Sequence, residues 1–143
     1  MKKETGDRQM NQTEWIIPCN PLSYNLQAAF TDGDEVYWRQ NAKYEVGDIV
    51  YIYLSKGVGS IRYKAVVVGT DIKINSEDDP YWVDKTMQSQ KLQKVLLRKI
   101  KTYNTALLSY DVLKANGLKS TIQGPQKLKD GLREYIVTID RRL

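Results

Sequence analysis

The stretch from Ile49 to Val68 most narrows what this chain can fold into. Ile49-Val50-Tyr51-Ile52-Tyr53-Leu54 is a run of β-branched and aromatic residues, and Ile61 to Val68 is a second. Such residues suit the pleated, half-buried surface of a strand. Val46-Gly47-Asp48 makes a turn into the first run, Ser55-Lys56-Gly57 bounds it, and Gly57 and Gly59 turn the chain into the second. The pattern predicts a β-hairpin. No Lys-Ser or Lys-Thr follows these glycines at phosphate-loop spacing, so they are hairpin glycines and form no nucleotide cradle.

Shorter elements surround the hairpin. Trp15-Ile16-Ile17-Pro18-Cys19 reads as a short buried strand that ends at the Pro18/Pro21 pair. Leu22, Leu26, Ala29 and Phe30 have helical spacing, with Ser23 near the N-cap and Thr31-Asp32-Gly33-Asp34 as the stop. Val36 to Asn41 is too polar to be core throughout and too aromatic for a simple loop. Ser76 to Asp79 is an acidic loop, and Tyr81-Trp82-Val83 starts another short strand. Residues 91–100 fit a helix through Leu92, Val95, Leu96 and Ile100, and equally a strand through Val95 and Leu97. Tyr110 to Ala115 predicts a helix with Ser109 as N-cap and Asn116-Gly117 as the stop. After the Gln123-Gly124-Pro125 turn, Leu128, Leu132, Tyr135, Ile136 and Ile139 predict a closing amphipathic helix. These elements describe an α+β chain: a small mixed β-barrel, or a sheet, of four to six short strands with two or three short flanking helices. The 143 residues suit a single domain over 14–143, with 1–13 as a disordered tail.

Composition excludes several chemistries. The chain has no histidine, which removes Ser-His-Asp and Cys-His pairs, histidine bases and His-based zinc sites. A single cysteine, Cys19, excludes an intramolecular disulfide and a cysteine-cluster metal site. No apolar run approaches the roughly 18 residues of a membrane helix, and no apolar stretch follows the two N-terminal lysines as in a secretory signal. The expectation is a cytoplasmic, non-enzymatic domain without cofactor, metal or membrane partner.

Charge and aromatic usage point to a partner. The net charge of +5 is uneven: residues 1–84 carry nine Lys/Arg against thirteen Asp/Glu, and residues 85–143 carry thirteen against four. A basic half of this kind suits a polyanion, although a solvated face that maintains solubility has the same composition. Ten Tyr and three Trp stand against one Phe. Tyr and Trp are preferred where a ring meets water or a ligand at one end, so the composition hints at a stacking surface.

From Trp15 onward the chain resembles EVE domains, small barrels of the PUA-like group related in fold to the YTH readers of methylated RNA. The resemblance rests on four segments in order: Trp15 to Tyr24, containing Pro18, Cys19, Asn20 and Pro21; Trp38-Arg39-Gln40-Asn41; Val46-Gly47-Asp48 leading into Tyr51-Ile52-Tyr53 and Ser55; and Tyr81 to Asp84. The second half, including Leu113 to Lys119 and Gln123-Gly124-Pro125, is similar to the later part of the EVE-like modules at the N-termini of bacterial restriction-type nucleases. The chain departs from the family at the first motif, where its Lys, Ser and Glu are Pro18, Cys19 and Asn20, and at a strand-end Tyr-His-Ser, here Tyr53-Leu54-Ser55. The resemblance implies a PUA-like barrel of five to six strands. It also implies a reader that encloses a base, expected to be modified, in an aromatic pocket and serves a restriction, defence or modification system beside a separate effector protein such as a nuclease.

An extruded base needs flat walls and a few donors and acceptors for its edge. Trp38 and Trp82 are the wall candidates, with Trp15 and Tyr81 in reserve; Trp15 heads a strand and also suits the core. Asn20, Gln40 and Asn41 can read an edge because amides both donate and accept, although Asn20 before Pro21 also initiates a turn. Ser55 and Cys19 complete the pocket candidates. Arg39, Lys91, Lys94, Arg98, Lys99 and Lys101 are the candidate phosphate contacts. Two other readings stay open. One is a protein-interaction module acting through the C-terminal amphipathic helix. The other is a metal-dependent nuclease using Asp48 with Asp71 and Lys73, whose carboxylates and lysine match the letter of that pattern.

Overall fold

The computed structural model describes residues 12–74, 79–84 and 93–143. Residues 1–11 of the expected tail, most of the Ser76–Asp79 acidic loop, and Lys91 and Leu92 lie outside the described residues.

The predicted hairpin is present. Strand β3 (Ile49–Leu54) pairs antiparallel with the 13-residue strand β4 (Ser60–Ile72). Gly59, between them, has φ of +67°, a left-handed conformation that glycine adopts without Cβ strain. All six residues of β3 are buried. That explains why its sequence runs continuously apolar instead of alternating: both faces of the sheet are covered.

The other strands assemble around this pair. Strand β1 (Glu14–Cys19) lies parallel to β3, with Trp15 beside Val50 and Cys19 beside Leu54. Strand β2 (Glu35–Arg39) pairs antiparallel with β5 (Lys94–Thr102), and β5 with β4. The two-residue β6 (Gln126–Lys127) pairs with β1 at Trp15 and Ile16. The sheet order is β2-β5-β4-β3-β1-β6. The ambiguous 91–100 segment is therefore a strand over its described part, and the Val36–Asn41 segment is an edge strand. Tyr81–Val83 contributes only a bridge, Trp82 to Tyr24.

Alternate strand residues feed two cores. Trp15, Ile17, Cys19, Val50, Ile52, Leu54, Tyr63, Ala65 and Val67 pack on one face with Leu26, Ala29 and Phe30 of helix α1 (Leu26–Asp32). Ile16, Ile49, Tyr51, Tyr53 and Ile61 pack on the other. There they meet a 3-10 turn (Ala106–Leu108), helix α2 (Tyr110–Ala115) and helix α3 (Asp130–Arg142). Helix α1 begins two residues later than Ser23 would place it: the Asn25 side chain accepts from the Ala28 amide and is the N-cap. Gly117, with φ of +118°, closes α2 against the Leu132 backbone, where a Cβ would come within 3.2 Å of the Leu132 nitrogen.

Two expectations change. The strand and helix counts agree with the expected architecture, but among the described residues the pairings do not close a barrel: β2 and β6 remain the two ends of the sheet. The apolar face of α3, expected to serve protein interaction, packs Leu132, Ile136 and Ile139 into the second core and is not available to a partner.

Candidate nucleic-acid interface

The two ends of the sheet curl toward one cleft. Its lining takes Trp38 and Arg39 from β2, Ile17, Pro18 and Cys19 from β1, and Gln123, Gly124 and Pro125 from the turn before β6. Asn20, Ser23, Tyr24, Asn41 and Trp82 complete a cavity of about 170 Å³. The cleft thus sits between the two ends of the sheet.

Tyr24 organises it. The residue is 2% exposed. The Trp38 ring stands edge-on to it at 5.3 Å and 87°, and the Trp82 ring at 5.0 Å and 77°. Edge-to-face packing of this kind adds to the area the rings bury and fixes their planes. The Tyr24 hydroxyl donates to the Asp79 carboxylate at 2.9 Å. Burial, then the Asp79 charge, pushes its pKa well up, so the phenol stays protonated. Backbone hydrogen bonds hold the Trp82 segment in place: Asn25 donates to the Tyr81 carbonyl, and Val83 and Asp84 donate to that of Ser23. Both indoles are half-buried, each with surface on the cleft.

The edge groups vary in their freedom. The Asn20 carboxamide oxygen accepts from the Leu22 amide at 2.9 Å, which is the turn chemistry its place before Pro21 suggests; its NH₂ remains a donor. Asn41 accepts from the Tyr44 hydroxyl at 3.5 Å. Gln123 is exposed on the opposite rim. Burial pushes the Cys19 thiol up to about 12, and the thiol donates to the Tyr24 carbonyl. Cys19 is therefore a thiol at neutral pH, not a nucleophilic thiolate. Its alkylation by iodoacetamide at pH 8, followed by mass spectrometry of the folded protein, is expected to run at least about 100-fold slower than that of an unfolded control, given a thiolate fraction lowered by roughly three orders of magnitude; a comparable rate would show that the cleft floor opens.

Other candidates lie elsewhere. Trp15 is buried on β1, donates its indole N–H to Asp48 at 3.0 Å and packs against Tyr44, apart from the lining of this cleft. Gln40 is bound at both ends of its amide by Asp71: its NH₂ donates to the carboxylate and its oxygen accepts from the Asp71 backbone. Ser55 donates to the Cys19 carbonyl at the end of β3. Tyr81 donates to Asp32 at 2.6 Å and faces a second cleft.

The phosphate-contact candidates also separate. Arg39 lines the first cleft. Arg98 binds Glu35, Lys99 donates to the Phe30 carbonyl, and Lys101 binds Asp140. Lys94 is 4% exposed, beneath Trp82. Lys91 lies outside the described residues. Tyr24, Ser23 and the Gln123–Pro125 turn were not singled out as site residues from the sequence.

The carboxylates of the nuclease pattern hold backbone and side chains in place. Asp48, buried at the start of β3, accepts from the Trp15 indole and from the Thr13 and Glu45 amides. Asp71 accepts from Gln40 and Thr70. Among the described residues no three Asp, Glu or Cys side chains group as metal ligands would.

Comparison with solved structures places this geometry. An ASCH protein variant from Zymomonas mobilis aligns over 90% of this chain and 97% of its own, at 14% identity and a TM-score of 0.61. The chain shares its fold with ASCH proteins, members of the PUA-like group. A hypothetical protein from Leishmania major aligns over 93% of this chain and 97% of its own, with 18% identity and a TM-score of 0.59. A protein from Rhodopseudomonas palustris aligns over 92% and 94%, with 16% identity and a TM-score of 0.57. No protein-family model and no curated protein matches the sequence. At these identities the likeness shows a shared fold and leaves the chemistry to the cleft itself. Among the described residues, no helix is long and apolar enough to cross a membrane.

Proposed function

We propose that this chain is a non-catalytic nucleic-acid-binding module that takes one base into the cleft between Trp38 and Trp82. The observation that carries the reading is the Tyr24-centred aromatic cleft itself, with donors and acceptors on its rim. Stacking supplies roughly 1–3 kcal/mol per base, and Asn20, Asn41 and Gln123 offer amides for the base edge. The EVE-like order of the segments from Trp15 to Asp84 supports a modified base as the ligand. It also supports a role as the recognition part of a bacterial restriction, defence or modification system whose effector, such as a nuclease, is a separate protein.

Of the phosphate contacts suggested by the sequence, this reading keeps Arg39 and adds other cations. Arg98, Lys99 and Lys101 already have internal partners. Arg39 lies on the cleft, and the exposed Lys119, Lys127 and Lys129 flank the Gln123–Pro125 turn along the chain. Each contact to a single strand is expected to steepen the salt dependence by about 0.7 in log K against log salt.

The test is a tryptophan-fluorescence titration with single- and double-stranded DNA and RNA oligonucleotides, unmodified and carrying 5-methylcytosine, 5-hydroxymethylcytosine or N6-methyladenine, at several salt concentrations. Quenching selective for one base, with the slope reduced by about 0.7 in Arg39→Gln, is expected. The absence of binding by both fluorescence and anisotropy would overturn the reading.

A further inference from the structure

Behind Trp82 lies a second cleft of about 240 Å³, lined by Tyr24, Tyr37, Tyr81, Trp82 and Lys94 together with the carboxylates Glu35 and Asp79. It shares Tyr24 and Trp82 with the first cleft, so these two residues separate the cavities. Its volume is below the roughly 300–1,000 Å³ of sites for drug-sized ligands, which suits a single ring system.

Lys94 makes this cavity more than a packing gap. The residue is 4% exposed, and its ammonium stands 5.9 Å from the centre of the Trp82 ring. Among the described residues it meets no hydrogen-bond acceptor and no carboxylate within ion-pair distance. Burial, with help from the Arg39 charge, lowers its pKa; Asp79 attracts it only from farther away. A buried ammonium that no described residue accepts from is costly unless something accepts from it. Its neighbours Tyr37, which is 39% exposed, and Tyr81 offer flat surface at the mouth.

We propose that this second cleft takes the nucleobase next to the one held between Trp38 and Trp82, with a ring carbonyl oxygen accepting from Lys94. The proposal rests on the base-binding reading above. A base fits better than a phosphate. Glu35 is already matched by Arg98, and Asp79 stands in the same lining as Lys94, so the cleft offers no surplus positive charge to an added anion, whereas a neutral carbonyl satisfies the donor without adding charge. Guanine, thymine, uracil and cytosine carry such an oxygen, and a lysine on a base carbonyl is a common contact in nucleic-acid readout. Trp82 then serves as the shared wall between two successive nucleotides. The protein would read two adjacent bases with one of its rings between them.

The experiment uses a single-stranded pentanucleotide with thymines on both sides of the base selected in the titration above. The thymine on either side, or the central base, is replaced in turn by an abasic site, so every phosphate is kept. Anisotropy gives the affinities of the wild-type protein and of Lys94→Met, whose fold is checked by circular dichroism. Loss of one flanking base is expected to weaken wild-type binding about tenfold, and that loss should shrink to less than about threefold in Lys94→Met. If neither flanking base matters in the wild type while the central abasic site still destroys binding, the second site is refuted and the first stands. An undiminished flanking-base loss in folded Lys94→Met refutes the role of Lys94 and with it the proposal. If the central abasic site changes nothing, the base-binding reading fails and takes the second site with it. The wild-type comparison decides the matter even if the variant does not fold.

Discussion

Asp140→Ala is expected to lower the stability of the fold by about 3 kcal/mol, seen as a fall in Tm of about 10 °C. The reason is the set of groups that meet on this one carboxylate. Lys64 of β4 donates to it at 2.8 Å, Lys101 of β5 at 2.9 Å, and the buried Tyr103 hydroxyl at 2.6 Å. Asp140 is on α3, so this junction fastens the closing helix to the neighbouring strands β4 and β5. Burial alone would push the carboxyl pKa up, but the hydrogen bonds from Lys64, Tyr103 and Lys101 outweigh it and bring it down to about 2. Alanine would leave two ammonium groups and a phenol facing a dry junction. The lysine side chains are 20% and 32% exposed and can partly turn to water, which keeps the cost below the upper end for a broken buried pair. The sign of the pH dependence is fixed by that lowered value. A carboxyl held below its unfolded value near 3.9 stabilises the fold fully above that value, and the stabilisation is lost as pH falls from about 5 through 2. It amounts to about 2 kcal/mol. Urea titrations at pH 7, 4 and 3 should therefore show a shallower acid loss in Asp140→Asn than in the wild type. Equal slopes would mean that the junction is not formed in solution.

That junction also shows where sequence reasoning reaches its limit. The hairpin could be read because runs of β-branched and aromatic residues and Gly57/Gly59 are local signals, and helix α2 because Ser109 and Asn116-Gly117 bracket it. The 91–100 stretch could not, because Leu92, Val95, Leu96 and Ile100 fit a helix while Val95 and Leu97 fit a strand. What decides for a strand is tertiary: β2 and β4 supply hydrogen-bond partners on both sides, and Val95 and Leu97 face the first core. The basic second half is the clearer case. Counted along the chain, Arg98, Lys99 and Lys101 form a positive stripe. In the fold they find Glu35, the Phe30 carbonyl and Asp140, between 39 and 69 residues away, which spacing cannot foresee. Lys94 carried the same charge signal as its neighbours, and only burial separates it from them. In the cleft, Trp38 and Trp82 could be proposed because they sit beside polar residues in their own segments, Asn20 because an amide both donates and accepts, and Arg39 because it is the cation nearest Trp38 along the chain. Tyr24 carries no local signal of a site, and Gln123 lies 99 residues beyond it. Their convergence depends on the sheet ends curling together, which no local pattern records.

The largest binding effect is expected at Trp82. Trp38→Ala removes one wall of the first cleft and should weaken the best oligonucleotide by roughly 5- to 150-fold, the range for loss of one stacked base. Trp82→Ala removes a wall from both clefts, along with the ring that packs on Tyr24 and faces Lys94. It should fall at or beyond the upper end of that range for a ligand that fills both, and near the Trp38 value for an oligonucleotide with abasic flanks. Anisotropy of a labelled oligonucleotide is the right readout, because each substitution removes a fluorophore of the protein itself. Both residues also touch the first core, so each variant needs a control for folding. Trp→Phe keeps an aromatic face in place and should recover most of the affinity if stacking is the cause. Two folded alanine variants that bind like the wild type would leave the Tyr24 cluster as core packing only. The search for the nucleic-acid surface would then move to the exposed lysines around Gln123.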